Sequence, residues 1–81
     1  MTEDQISSII ESIMEIESDN TVPKNIKRKL GETATILKSK EDESIKISKA
    51  IDVLQDIVDD QNMQSYTRTQ LLNILSFLEM I

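Results

Sequence analysis

The sequence predicts an all-α protein, a four-helix up-and-down bundle made of two repeated helical hairpins. Its 81 residues include one proline and one glycine, the residue types that most often interrupt helices. Apolar residues recur at steps of three and four, the period of a helix that buries one face. The second half of the chain also repeats the apolar positions of the first half. A chain of this length is expected to form a single domain, residues 1–81.

The first helix is predicted from about Glu3 to Ser18. Thr2 and Gln5 have the spacing of a capping box, in which each side chain bonds the backbone amide of the other residue. An apolar stripe follows, formed by Ile6, Ile9, Ile10, Ile13 and Ile16. Its spacing predicts one buried helix face.

The second helix is predicted to start at Pro23, after a break at residues 19–22. Proline fits the first turn of a helix because its missing N–H would have no intrahelical partner there. The apolar stripe of this helix is Ile26, Leu30, Thr33 and Leu37. Gly31 costs about 1 kcal/mol relative to alanine inside a helix. We therefore expect it where another helix comes close.

The polar run of residues 38–43 is predicted to be the longest connection. Helix three follows from about Ser44 to Asp60, and after a break at residues 62–64 helix four runs from about Ser65 towards the C-terminus. The predicted core positions of these two helices are Ile47, Ala50, Ile51, Leu54, Ile57 and Val58, then Leu71, Ile74, Leu75 and Leu78.

A shift of 41 residues superposes the chain on itself without a gap. It aligns Ile6 with Ile47, Ile10 with Ile51, Ile16 with Ile57, Leu30 with Leu71 and Leu37 with Leu78. The alignment predicts two hairpin repeats, at about residues 3–40 and 44–81. Two units are too few for a solenoid, which needs three or more, so a closed bundle is the expected way to bury every stripe.

Charge and composition exclude several classes of protein. The net charge of −6 disfavours nucleic acid as a partner of the whole surface. The absence of cysteine and histidine excludes disulfides, thiolate chemistry and the usual zinc ligand sets. Glu3 and Asp4 stand where a signal peptide carries basic residues, and no apolar run approaches the ~20 residues of a membrane helix. We expect a cytoplasmic protein with no membrane partner.

No enzymatic activity and no cofactor are predicted. Gly31 is the only glycine, so the chain lacks a glycine-rich phosphate-binding loop. Asp56, Asp59 and Asp60 lie at i, i+3 and i+4 on one helix face, where carboxylates can hold a cation such as Mg²⁺. We interpret them instead as a solvated acidic helix end and predict no metal site. A carboxylate-based metal-dependent enzyme is therefore the weakest of three functional hypotheses.

A basic cluster, Lys24, Lys27, Arg28 and Lys29, lies at the start of the second helix. Acidic residues end the first and third helices, so one interpretation is internal ion pairing across the hairpin turns. The other is an anion or RNA-backbone site, because clustered bases near a helix N-terminus can bind phosphate. No aromatic residue lies beside the cluster for base stacking. An RNA-associated accessory protein of a ribonucleoprotein is accordingly the second hypothesis.

Tyr66 and Phe77 are the only aromatic residues. At 100° per residue they fall on nearly the same side of the fourth helix, with Met80 close by. If this side is exposed, it indicates a protein-contact surface; the alternative is that these residues belong to the core. The first hypothesis is therefore a non-enzymatic protein-interaction or scaffolding module. Its partner is another protein or a second copy of the chain, which would form a homo-oligomer.

Residues 19–28 and 60–63, together with Arg68 and residues 75–79, resemble a small archaeal family of uncharacterised proteins, UPF0147. The family repeats a turn of the pattern D-x-x-V-P-x-x-I-R-R twice. The resemblance covers nearly the whole chain and implies a four-helix bundle, but no activity and no functional residues. Where the family pattern has a second proline this chain has Gln64, which leaves the start of helix four open.

Overall fold

The structure, a computed structural model, describes residues 2–81. It contains helices α1 (Thr2–Glu17), α2 (Lys24–Lys38), α3 (Glu43–Val58) and α4 (Ser65–Met80). Each helix packs against the next along the chain, and α4 returns to α1. The predicted all-α four-helix bundle is confirmed. The capping box involves the side chain of Thr2, which lies outside the part of the chain that is described.

The core runs along the middle of the bundle, because each helix turns one apolar stripe inwards. All buried apolar side chains belong to one cluster: Ile6, Ile9, Ile13, Ile16, Val22, Ile26, Leu30, Ala34, Leu37, Ile47, Ala50, Leu54, Ile57, Met63, Leu71, Ile74, Leu75 and Leu78. Ile10, Ile51 and Val58 are partly buried against it. Full burial of an isoleucine or leucine contributes about 1.5–3 kcal/mol. The four predicted stripes are thus confirmed as the inward faces.

The prediction that residues 38–43 form the longest connection is wrong. Residues 39–42 join α2 to α3, whereas the longer segments 18–23 and 59–64 join the helices within each hairpin. The hairpin connections are longer because each one sends a side chain back into the core, Val22 in the first and Met63 in the second. The short connection is held by Lys46, whose ammonium group donates to the Ser39 carbonyl at 3.3 Å.

The two hairpin turns begin with the same local hydrogen bond. The amide of Thr21 donates to Asp19 Oδ1 at 2.9 Å, and the amide of Asn62 donates to Asp60 Oδ1 at 2.8 Å. Aspartate favours such turns because its short side chain reaches the amide two residues on. Both helices that follow therefore start after the same type of turn.

Pro23 and Gln64 are the N-cap residues of α2 and α4. Their dihedral angles are nearly equal, φ −58° and ψ 150° for Pro23 and φ −63° and ψ 146° for Gln64. Pro23 therefore lies one residue before the helix that it was predicted to start. Glutamine in place of proline leaves the backbone at the start of α4 unchanged, because both residues can adopt this extended conformation.

At Gly31 only a side chain of α1 comes close, and not the helix itself as the prediction implied. A carboxylate oxygen of Glu17, the last residue of α1, is 3.1 Å from the position that a Cβ on Gly31 would occupy. Glycine therefore leaves room for a side chain of the neighbouring helix rather than for its backbone.

Residues 41 positions apart are buried alike in the two hairpins. Pairs in which both members are buried include Ile6 and Ile47, Ile13 and Leu54, Val22 and Met63, Leu30 and Leu71, and Leu37 and Leu78. This correspondence allows the helices of one hairpin to be compared position by position with those of the other. That the two hairpins are repeats of one motif stays a prediction.

Candidate functional site

The outward side of α4 carries large apolar side chains in contact with solvent. Tyr66 is 69% exposed, Phe77 37% and Met80 81%. The buried stripe of the same helix, which includes Leu71 and Leu78, points the opposite way. The interpretation of the two aromatic residues as core is therefore wrong. The reason is that Thr67, Leu71, Ile74, Leu75 and Leu78 already fill the inward face.

These side chains belong to a longer exposed stripe, which we call the α4 outer face. It consists of Tyr66, Thr69, Asn73, Ser76, Phe77 and Met80, all of them exposed. Five of the six follow the alternating steps of three and four that characterise a helix–helix packing seam. At 1.5 Å per residue, the stripe from Tyr66 to Met80 is about 21 Å long.

The α4 outer face carries no charged side chain, although 30% of the chain is charged. α4 itself contains only two charged residues, Arg68 and Glu79. Arg68 turns away from the outer face: its Nε donates to the Val58 carbonyl at 3.2 Å, and its guanidinium also donates to the Asp60 carbonyl. Its position on the α3 side leaves the outer face uncharged.

A groove lies between α1 and α4, at one edge of the α4 outer face. It encloses about 220 Å³ and its lining residues are Ser8, Ile9, Ser12, Asn73, Ile74 and Phe77. The wall from α1 is low because Ser8 and Ser12 are small, so the side of Phe77 that faces α1 is left uncovered. α1 and α4 make the smallest contact of any pair of packed helices within residues 2–81.

Among the described residues, Lys29 is the member of the basic cluster that has a carboxylate within 4.0 Å. Lys29 Nζ lies 2.6 Å from Asp56 Oδ2 in α3, which is an ion pair between the two hairpins. Lys27 lies near enough to Asp19 to act on that carboxylate. Lys24 and Arg28 are exposed, and no carboxylate of the described residues lies within 4.0 Å of them.

Asp19 is the group whose charge state is most clearly affected by its surroundings. The Thr21 amide donates to its Oδ1, and the Thr21 hydroxyl donates to the same atom at 2.7 Å. These two hydrogen bonds, with a smaller contribution from the positive charge of Lys27, lower the pKa of Asp19 below its ordinary value of 3.8. Hydrogen bonds to the ionised form favour that form.

The three aspartates at the end of α3 are not drawn together around one point in the structure. No group of three carboxylates among residues 2–81 is close enough to hold an ion. Asp56 is engaged by Lys29, and Asp60 accepts hydrogen bonds from the Asn62 amide and from the Asn25 side chain at 3.2 Å. The carboxylates of Asp56 and Asp60 thus serve the contact between the hairpins and the second turn.

Sequence reasoning missed the groove and the position of Arg68. Ser8 and Ser12, four residues apart beside the buried Ile9, were the available signal for a low wall on α1. The available signal for Arg68 was its place shortly after the α3–α4 turn. From there a cationic side chain can reach the carbonyl groups at the C-terminus of α3, where a positive charge is stabilising. None of the four helices in residues 2–81 has the length and apolar character that crossing a bilayer requires.

Comparison with known proteins gives one family. The model of the uncharacterised protein family UPF0147 matches residues 1–81. The chain is 40% identical over 81 residues to a UPF0147 protein of Methanothermobacter thermautotrophicus, covering 99% of this chain and 76% of that protein. A UPF0147 protein of Archaeoglobus fulgidus is 33% identical over 81 residues, covering 100% and 93%.

A UPF0147 protein of Methanocaldococcus jannaschii is 42% identical over 69 residues, which cover 83% of this chain and 73% of that protein. No solved structure matches the chain. The family model covers the whole chain, and these relatives cover most of it. The chain belongs to the uncharacterised protein family UPF0147.

Proposed function

We propose that the protein is a non-enzymatic interaction module that binds its partner through the α4 outer face. The observation that carries the proposal is the combination of exposed Tyr66, Phe77 and Met80 with the absence of charge on the stripe that contains them. Aromatic residues and methionine are enriched, and charged residues depleted, at the centres of protein interfaces. Scattered apolar residues occur on every surface, but Tyr66, Phe77 and Met80 lie on one side of one helix, which favours a contact site.

The remaining features support a binding role rather than catalysis. Catalytic acid–base chemistry would depend on carboxylates, lysine or Tyr66, since histidine and cysteine are absent. At the end of α3, Asp56 forms an ion pair and Asp60 accepts hydrogen bonds. The groove beside Phe77 is small and lined by serine, asparagine and apolar groups, which suits the side chain of a partner.

The test is capture of partners with two matched variants. The double variant Tyr66→Ser/Met80→Ser removes exposed apolar groups from the α4 outer face, and Ile45→Ser removes one from α3, where Ile45 is 45% exposed. Tagged wild type and both variants are expressed in the native host, cross-linked and quantified by mass spectrometry. We expect the double variant to lose specific partners at least tenfold and Ile45→Ser to retain them. Equal capture by all three proteins would refute the proposal.

A second candidate function is binding of RNA phosphates by the basic cluster. It is favoured by the exposure of Lys24 and Arg28 without a carboxylate within 4.0 Å among the described residues. The net charge of −6 opposes it. Fluorescence anisotropy with a single-stranded RNA across a salt series tests it. Salt-dependent binding that Lys24→Glu/Arg28→Glu abolishes would support this function, and no binding at low salt would exclude it.

A further inference from the structure

Each hairpin has a groove between the start of its first helix and the end of its second. The groove of the first hairpin lies between α1 and α2 and encloses about 340 Å³. The groove of the second lies between α3 and α4 and encloses about 460 Å³. Four identical side chains line both grooves at positions 41 residues apart: Ile6 and Ile47, Ser7 and Ser48, Ile10 and Ile51, and Leu37 and Leu78. The two grooves therefore have the same apolar base.

The groove of the first hairpin is lined by charges of both signs. Its acidic residues are Glu3 and Asp4, and its basic residues are Lys38 and Lys46. Lys46 belongs to α3, the helix that follows this hairpin, and its ammonium group also donates to the Ser39 carbonyl at 3.3 Å. The next element of the chain thus supplies the first groove with a cation.

The groove of the second hairpin is lined by negative charges alone. Glu79 stands where Lys38 stands in the first hairpin, and Asp52 lines the same groove from α3. Within residues 2–81 no basic side chain lines this groove, and none lies within 4.0 Å of either carboxylate. Lys49, three residues before Asp52, is engaged by Glu41 at 2.8 Å. An apolar groove with two exposed carboxylates is therefore left open.

We propose that the groove between α3 and α4 binds a basic amphipathic segment of a partner protein. An apolar side chain of this segment packs against Ile51 and Leu78, and a lysine or arginine lies beside Asp52 and Glu79. The first groove shows the same chemistry, since Lys46 lies there beside identical apolar residues. A lysine suits this place because its methylene stem packs on an apolar surface while its ammonium group stays in water.

Charge complementarity selects this occupant. Two carboxylates repel a partner that presents phosphate groups, such as RNA. A wholly apolar segment would remove Asp52 and Glu79 from water without pairing them, which is costly. A basic segment pairs with both, and the net charge of −6 adds a long-range attraction that speeds its approach.

The proposed contact is separate from the α4 outer face. The groove is formed by the side of α4 that faces α3, through Leu78 and Glu79, whereas Tyr66 and Phe77 lie on the outward side. The inference therefore goes beyond the proposed function and does not depend on it.

An NMR titration with a basic amphipathic peptide tests the proposal. The probe consists of two tandem copies of the sequence of residues 44–49, the segment that carries Lys46. Amide shifts of the isotope-labelled full chain report where the probe binds. We expect saturable shifts at Ser48, Ile51 and Glu79, and at least about tenfold weaker binding when glutamine replaces each lysine of the probe. Shifts confined to other surfaces, or equal binding of both peptides, would overturn the proposal.

Two variants of equal net charge separate this groove from the general attraction of an acidic chain. Asp52→Asn/Glu79→Gln removes both groove carboxylates, and Glu11→Gln/Glu32→Gln removes two exposed carboxylates elsewhere. All four side chains are exposed, so both variants should fold, which circular dichroism checks. We expect the first variant to bind the probe at least about fivefold more weakly and the second less than about twofold. Equal weakening would overturn the proposal.

Sedimentation equilibrium distinguishes a partner protein from a second copy of the chain. The basic cluster Lys24, Lys27, Arg28 and Lys29 of another copy is the alternative source of cations. We expect Asp52→Asn/Glu79→Gln to leave the mass of wild type unchanged. Self-association that this variant abolishes would assign the groove to another copy and overturn the proposal. The α4 outer face is intact in this variant, so the result is independent of the test with Tyr66→Ser/Met80→Ser.

Discussion

The two hairpin turns share local hydrogen bonds and differ in the contacts that the aspartate of each turn makes with other helices. In the first turn, the carboxylate of Asp19 accepts from the amide and the hydroxyl of Thr21, both within the turn. In the second, Asp60 accepts from the Asn62 amide, from Asn25 of α2 and, at its carbonyl, from Arg68 of α4. The first turn is held by its own residues, whereas the second is held by the rest of the bundle.

This difference predicts where each hairpin is sensitive to substitution. A turn stabilised by neighbouring residues forms early and depends little on the rest of the chain, since loop closure costs less over short separations. A turn stabilised from other helices forms only when these helices are packed. Substitutions that act at a distance should therefore affect the second hairpin more than the first.

The largest expected effect is that of Arg68→Met. Hydrogen bonds from a charged donor contribute about 1.5–3 kcal/mol, and Arg68 makes two, to the carbonyls of Val58 and Asp60 at the end of α3. We expect a loss of about 2 kcal/mol in the free energy of unfolding, measured by urea denaturation. The equivalent Lys27→Met should cost less than about 0.5 kcal/mol, because among the described residues no carboxylate lies within 4.0 Å of Lys27. Equal losses would contradict the difference between the two turns.

Gly31→Ala should stabilise the first hairpin by about 0.5–1 kcal/mol, because alanine is the better helix former. The group that must move is the carboxylate of Glu17, 3.1 Å away at the end of a flexible side chain. In a Glu17→Ala background the gain should be equal or larger. At the equivalent position of α4, Leu72→Gly should cost about 1 kcal/mol. Thermal unfolding of Gly31→Ala, Glu17→Ala, their double variant and Leu72→Gly measures these changes. Destabilisation by Gly31→Ala in both backgrounds would show that α1 cannot move to make room for the added methyl group.

Gln64→Pro should make the second turn more like the first and stabilise the protein by about 0.4–1 kcal/mol. The Gln64 dihedral angles already suit proline, and its amide donates to no acceptor among residues 2–81. The gain comes from the reduced entropy of the unfolded chain. Pro23→Gln should lose a similar amount. The denaturant midpoint measures the change. A loss of stability on Gln64→Pro would mean that the second turn needs backbone conformations that proline does not allow.

The smallest effect concerns acid pH at the first turn. Because the folded pKa of Asp19 is lowered, its contribution to stability is present above the ordinary value of 3.8 and is lost as the pH falls through the lowered pKa. NMR titration of the Asp19 carboxyl carbon should show this direction. Thr21→Val removes the hydroxyl donor and should raise the pKa towards 3.8. An unchanged titration in Thr21→Val would assign the effect to the amide and Lys27 instead.

Periodicity predicted the helices because burial of one face is a property of neighbouring residues. Ile13, Leu30, Leu54 and Leu71 are all buried at the predicted places. The helix ends were predicted to within a few residues. The prediction of which connection is longest was wrong. Residues 39–42 are polar and resemble a long loop in sequence, but contacts such as that of Lys46 with Ser39 keep the connection short.

The sequence by itself determined four amphipathic helices, their inward stripes and the places of the two turns, because these depend on the spacing of apolar residues and on the residues that interrupt it. Only the tertiary structure decided that Tyr66, Phe77 and Met80 lie outside the core, that Lys29 pairs with Asp56, and that α4 meets α1 across an open groove. Whether a seam closes depends on which side chains meet across it. Periodicity gives the face of a helix but not the size and charge of the residues opposite.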